Sequence, residues 1–173
     1  MSLGVARLAP TVTASANGQS VDEKYSGTTL ALDIMLGGSV ARHVVLGGGV
    51  MSLNISDPDV ERQGVTSDVN REIQLTMLGP FVDVYPDPHG GLHFQGLAGI
   101  ASLEARNGSS RSGSALRGVG LAGGVGYDFW VSSQWSLGVM GRLHYASVDV
   151  TIDGVVNKST MVAPALLFTA LLH

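Results

Sequence analysis

The clearest pattern in the chain is a pair of alternating runs between Gly118 and Tyr145. From Val119 to Phe129, every second residue of the first run except Gly123 is large and apolar, and the residues between are mostly glycine and alanine. The second run alternates in the same way from Trp135. A period of two over runs of this length indicates β-strands with one apolar face. The short polar stretch between the runs is typical of a hairpin turn.

The same alternation recurs along the chain and predicts eight strands. The polar connections between them alternate in length, the first, third, fifth and seventh being the longer ones. In the fourth strand Ile73, Leu75 and Met77 share one face, and the pattern shifts at Gly79-Pro80, after which Val82 and Val84 face outward. A Gly-Pro pair inside a strand predicts either a β-bulge or an interrupted ladder. The predicted strands are residues 4–15, 25–40, 44–56, 72–85, 92–105, the two strands of the hairpin that starts at residue 118, and 159–172.

The faces opposite the apolar rows suggest a membrane protein. They consist of glycine, alanine, serine and a few charged residues, as in a barrel with lipid outside and a tight polar lumen inside. Only 14% of the residues are charged, against about 25% in soluble domains. No apolar run reaches the ~20 residues of a spanning helix. We therefore predict an all-β fold, an eight-stranded antiparallel up-and-down transmembrane β-barrel, with residues 1–173 as one domain.

Two stretches, Leu78–Gly99 and Gly123–Leu143, resemble the small eight-stranded outer-membrane β-barrels of the OmpA-transmembrane, OmpX and OmpW kind. The resemblance implies a porin-like monomer in the bacterial outer membrane, extracted in detergent and inserted by the outer-membrane assembly machinery. Its role would be structural, adhesive or weakly pore-forming, with loop partners that the pattern does not identify. An aromatic girdle is expected beside the short turns, formed by Tyr85, Phe129, Trp130 and Trp135.

The two termini depart from that pattern. The first ten residues lack the basic and apolar regions of a secretion signal, so we expect the chain to begin at or inside the mature protein, with Met1 supplied for expression. Barrels of this kind usually end in an aromatic residue, whereas here the last aromatic residue is Phe168 and the chain ends at His173.

The candidate site is the lumen, because six ionisable residues on different strands should face inward. An eight-stranded barrel is narrow enough for side chains to fill, and buried charges need partners. We expect Arg142 to bridge one or more aspartates with both arms of its guanidinium and so to plug the lumen. The alternative is a proton or small-ion path, or a gate. The six residues are Asp33, Asp83, His93, Asp128, Arg142 and His144.

Other motifs predict no further chemistry. The chain has no cysteine, and its histidine spacing does not match a zinc site, so we expect no metal and no cofactor. The glycine motif that starts at Gly118 matches the dinucleotide fingerprint but lies inside a strand. His144 and Ser147 should face opposite sides of one strand, so we expect no catalytic site and no enzyme. No Lys/Arg cluster accompanies the net charge of −4, which argues against nucleic acid.

Two alternatives remain open at this stage. The first is a soluble lipocalin-like or avidin-like barrel, in which the apolar face would be the core and the other face would bind a ligand. Outward rows of leucine, valine and isoleucine on every strand argue against it. The second is an engineered model barrel or pore without a native ligand, which the unusual termini would suit.

Overall fold

A computed structural model describes the backbone of residues 1–16, 19–56, 59–62, 65–68, 72–87, 90–107, 110–111, 116–152 and 155–172, with side chains within 1–7, 29–54, 72–87, 90–104, 116–149 and 160–172. This part of the chain contains eleven β-strands. The eight long strands are β1 (Ser2–Ala16), β2 (Gln19–Ala41), β3 (Val44–Ser56), β6 (Glu72–Val84), β7 (Leu92–Asn107), β9 (Leu116–Trp130), β10 (Trp135–Ile152) and β11 (Val155–Leu172). The short strands are β4 (Asp59–Arg62), β5 (Val65–Asp68) and β8 (Ser110–Arg111).

The eight long strands form a closed antiparallel ring. Each pairs with its neighbour along the chain, and β1 pairs with both β2 and β11, so the first and last strands close the sheet. Closure removes the free sheet edges that lipid could not satisfy. The predicted eight-stranded up-and-down barrel is therefore confirmed. In the described residues, no helix is long and apolar enough to cross a membrane.

The predicted polar loops are mostly strand. Pairing between β1 and β2 continues to Ala16↔Gln19, and pairing between β10 and β11 continues to Ile152↔Val155. The third connection contains the β4–β5 hairpin, and β4 also pairs with β2. The expectation of loops was wrong because polarity marks exposure to water, and a water-exposed backbone can still pair with the neighbouring strand.

Of the two explanations for the pattern shift in the fourth strand, the interrupted ladder is confirmed and the β-bulge is wrong. Pairing of β6 with β3 runs without a shift from Val44↔Val84 to Ser56↔Glu72. Gly79 and Pro80 instead leave a gap in the pairing with β7, where proline has no N–H to donate. A side chain on Gly79 would overlap the backbone of β7, so glycine permits a close approach of the strands there. The register shift that does occur lies in β2, between Ser39 and Ala41.

The continuous register of β6 shows that the two faces of a strand exchange character partway along it. Near the short turns, Leu78 and Val82 face outward while Asp83 is buried inside. Farther along, Thr76 lies on the outer face, while Leu75 is buried inside. Ile73, Leu75 and Met77 therefore share a face as predicted, and this face points inward.

The same exchange occurs on β10. Outward-facing Leu143 and Tyr145 are exposed, and inward-facing Arg142 and His144 are buried; beyond them the outer face carries Ser147 and Asp149, and the inner face carries alanine and valine. The outer wall thus has an apolar band on the short-turn side and a polar zone on the side of the longer connections. Such a band is what lipid contact requires, and the polar zone marks where the strands leave the bilayer. We call the level at which the apolar band ends and the polar zone begins the boundary.

Candidate functional site

The lumen on the short-turn side holds the six ionisable residues singled out in the sequence. They come from β2, β6, β7, β9 and β10, and each occupies an inward position because side chains alternate along a strand. All are at most 4% exposed. They do not all contact one another: four belong to one hydrogen-bonded network, Asp128 joins it only through a 3.7 Å contact with His93 Nε2, and His144 lies apart from it.

Arg142 forms the centre of the network. Its Nη1 donates a hydrogen bond to Asp33 Oδ2, and its Nη2 donates one to Gln95 Oε1. The guanidinium thus joins one aspartate and one glutamine, and does not bridge several aspartates. The other carboxylate oxygen of Asp33 has no hydrogen-bond partner among the described residues. Removal of Arg142 would leave this buried carboxylate without its hydrogen-bonded cation.

Gln95 extends the network to a second carboxylate. Its amide Nε2 donates to Asp83 Oδ2 at 2.8 Å, and His93 Nδ1 lies 2.8 Å from Asp83 Oδ1. The sequence placed Gln95 on the inner face but gave it no role, because an uncharged side chain carries no requirement for a partner of opposite charge. Its position two residues after His93 was the available signal.

Asp128 completes the network on the side of β9 and β11. Thr169 Oγ1 donates to Asp128 Oδ1 at 3.2 Å, and the Tyr85 hydroxyl donates to Asp128 Oδ2 at 3.1 Å. His93 Nε2 lies 3.7 Å from the same Oδ2 atom. The site therefore contains three carboxylates and one guanidinium, and with its histidine counted as neutral it has two more negative than positive formal charges.

Tyr85 is a correction to the predicted aromatic girdle. It follows the end of β6, and its ring stacks on the His93 ring at a centroid distance of 5.1 Å and an interplanar angle of 9°. Burial, together with the nearby Asp83 and Asp128 carboxylates, raises the pKa of the Tyr85 hydroxyl above its usual value, so the hydroxyl stays protonated and donates. Phe129 and Trp135 are 57% and 47% exposed on the outer wall. Trp130 is 49% exposed at the end of β9, where it has the parity of inward-facing Asp128.

His144 stands between the polar network and the apolar region beyond it. Its Nδ1 lies 3.2 Å from the carbonyl oxygen of Ala163, and its Nε2 has no hydrogen-bond partner in the described part of the chain. Strand parity correctly gave an inward position, but the inward residue that follows it on β10 is Ala146. Ser147 is half-buried on the opposite face, so the two residues do not form a base and nucleophile pair.

Glycines of β9 and β10 make room for this network. A methyl group on Gly126 would overlap the His93 ring, and one on Gly138 would overlap the carboxylate of Asp128. The glycine-rich run of β9 thus lets large side chains from other strands cross the lumen. It continues into a hairpin and not into a helix, so the context of a dinucleotide site is missing.

A second layer of side chains fills the lumen on the side of the longer connections. Its members are apolar and at most 2% exposed, namely Met51, Leu53, Leu75, Met77, Val148 and Met161. Below the polar network, a cavity of about 210 Å³ opens at the short-turn end and is lined by Met35, Phe81 and Asp83, among others. Within the described residues, no group of three or more His, Asp or Glu side chains could hold a metal ion.

Comparison with known proteins identifies the fold. No family model and no curated protein matches the sequence. Among solved structures, the chain is similar to the outer membrane protein OprG from Pseudomonas aeruginosa, with a TM-score of 0.52, 14% identity, and coverage of 99% of this chain and 95% of that one. It is also similar to the outer membrane protein AlkL in lipid bilayers, with a TM-score of 0.51, 11% identity, and coverage of 99% and 89%. Both are membrane-embedded barrels. The chain therefore has the eight-stranded fold of the small bacterial outer-membrane β-barrels.

Proposed function

We propose that the protein is a closed, non-conducting barrel of the bacterial outer membrane, with a structural or adhesive role. The observation that supports this most is the filling of the lumen by two successive layers, the Arg142 network and the apolar layer of Leu75 and Met77. Each layer is made of side chains from several strands. An ion would have to cross both, first displacing a buried ion pair and then entering a region without polar partners.

The barrel beyond the boundary supports a role at the cell surface. The paired strands continue past the apolar band to Ala16↔Gln19 on one hairpin and to Ile152↔Val155 on another. In outer-membrane barrels the longer connections face the outside of the cell. We propose that the barrel holds this β-structured rim rigidly above the membrane, as a monomer inserted by the outer-membrane assembly machinery, and that it has no enzymatic activity.

Single-channel recording tests the proposal. The chain, refolded in detergent and inserted into a planar bilayer, should give no discrete current steps under conditions in which an open porin conducts. Uniform steps from the unmodified protein would contradict the closed lumen and favour a pore.

Solubility separates the membrane barrel from a soluble ligand-binding barrel. Apolar residues in the outer band are strongly exposed, with Leu36 at 79% and Phe168 at 69%. A monomeric protein with this wall should aggregate in water and need detergent or lipid. Purification as a monomer without detergent would contradict the membrane location.

A further inference from the structure

A shallow groove of about 400 Å³ lies on the outer wall where β1 meets β11. Its rims are Val5 and Arg7 on one strand and Pro164 and Leu166 on the other, with two alanines at its base. The ladder between these strands pairs Ala6↔Ala165 and resumes only at Ala9↔Val162. Pro164 lies within this interruption and has no N–H to donate, so the groove is a consequence of the local sequence.

Arg7 places a positive charge at the end of this groove. It is the only charged residue of the six lining ones, it is exposed, and it makes no hydrogen bond or ion pair in the described part of the chain. Val5 and Leu3 precede it on the outer face of β1, so it stands where the apolar band ends. Because the longer connections are on this side, the groove faces the outer leaflet.

We propose that Arg7 and the groove form a binding site for the phosphorylated glycolipid of the outer leaflet, with a lipid phosphate held by the guanidinium and an acyl chain in the groove. A guanidinium binds phosphate oxygens through two parallel hydrogen bonds, which suits an anionic headgroup at this level. Val5, Pro164 and Leu166 offer an apolar surface to a hydrocarbon chain. The site depends on the outer-membrane location and not on whether the lumen conducts.

The position of the groove favours a lipid over a protein partner. It lies in the wall that contacts the bilayer, beside residues such as Leu166 that are 58% exposed. Added β-strands need a free sheet edge, and β1 and β11 are each paired on both sides. A lipid needs only the cation and the apolar surface.

Arg117 provides a matched control. It is an exposed arginine on the outer wall of β9, directly opposite Ser102 in an unbroken ladder that continues through Gly118. It therefore shares the charge and the proximity to the boundary but has no proline gap beside it. Diffuse attraction of anionic lipid should depend on both arginines, whereas a built site should depend on Arg7 alone.

The test is native mass spectrometry of the refolded chain in detergent, titrated with lipid A, phosphatidylglycerol or phosphatidylcholine. Lipid A should bind best, and Arg7→Gln should lower its affinity about tenfold, equivalent to about 1.4 kcal/mol, while Arg117→Gln changes it less than about twofold. Pro164→Val, which fills the groove with a branched side chain, should weaken lipid A while Arg7 is intact.

Three outcomes would overturn the proposal. They are equal losses from the two arginine variants, no loss from Arg7→Gln, and binding of phosphatidylglycerol as tight as that of lipid A. A heat-modifiable shift on gels checks that each variant folds. If Arg7→Gln does not fold, Arg7→Lys takes its place. Lysine keeps the positive charge but lacks the planar guanidinium, so its loss of lipid A affinity should be smaller than the loss of about tenfold expected for Arg7→Gln.

Discussion

The two halves of the lumen are both formed by inward-facing residues of the same strands, yet one half is polar and the other is apolar. On β10, Arg142 belongs to the polar half and Val148 to the apolar half. The outer wall changes in the opposite sense, from Tyr145 to Asp149. The side that faces lipid must be apolar inside the bilayer, which leaves polar residues for the lumen. Beyond the boundary the wall faces water, and the lumen becomes an ordinary hydrophobic core.

This comparison predicts that the two layers are stabilised by different physics. The stability of the polar layer should depend on its ion pair and hydrogen bonds, since a buried charge without its partner is costly. The apolar layer should depend on volume, since its side chains lose mainly packing and transfer free energy when shortened. Substitutions in each layer, paired with controls on the outer wall, separate these causes.

The largest effect is expected in the polar layer. Arg142→Ala leaves the Asp33 carboxylate buried without its hydrogen-bonded cation, so the free energy of unfolding should fall by about 3–5 kcal/mol. Urea unfolding in detergent measures it. Arg42→Ala, at an exposed turn position, is the control and should have little effect. Unchanged stability of Arg142→Ala would eliminate the structural bridge.

Shortening a side chain in the apolar layer should come next. Leu75→Ala removes a side chain that is 2% exposed, and we expect a loss of about 3 kcal/mol in the same unfolding assay. Leu78→Ala, three residues away and 57% exposed on the outer wall, should lose less. A larger loss at Leu78 would mean that β6 is oriented as the bulge hypothesis required.

Filling the space that glycine leaves should cost less than either deletion. Gly126→Ala would push a methyl group into the His93 ring and should destabilise the barrel by about 1–3 kcal/mol. Gly123→Ala on the same strand meets nothing within 4 Å, so its effect should stay within about 0.5 kcal/mol. Equal losses of stability from the two substitutions would argue against the position of the His93 ring beside Gly126.

The smallest effect is expected at the edge of the polar layer. Tyr85→Phe removes the hydroxyl that donates to Asp128, whose other oxygen still accepts from Thr169, so we expect a loss of about 1 kcal/mol. Tyr145→Phe on the outer wall is the control. Equal stability of the two variants would indicate that Tyr85 belongs to the aromatic girdle and does not donate to Asp128.

Strand parity accounts for what the sequence could predict. Asp33, Asp83, Asp128 and Arg142 could be assigned inward positions because each lies in a run of clear alternation. The particular pairing of Arg142 with Asp33 could not, since it joins β2 to β10 across the barrel and depends on the register of every strand between them.

The prediction for β6 was incomplete because it rested on the rule that apolar residues face outward along the whole strand. That rule left both a β-bulge and an interrupted ladder possible at Gly79-Pro80 and did not predict that Leu75 points inward. It holds only within the bilayer, and the level at which a strand leaves the bilayer is not marked by any residue of β6 alone. Tyr85 failed for a different reason, because it follows the end of its strand, where alternation no longer fixes direction.

The central claim is that two separate layers each close the lumen, and single-channel recording of three variants tests it most directly. Arg142→Ala opens the polar layer, Leu75→Ala with Met77→Ala opens the apolar layer, and the triple variant opens both. The account predicts no current from either of the first two and discrete steps from the triple variant, provided that each shows the gel shift of a folded barrel. Conductance from the unmodified protein or from a variant with one layer intact would contradict it.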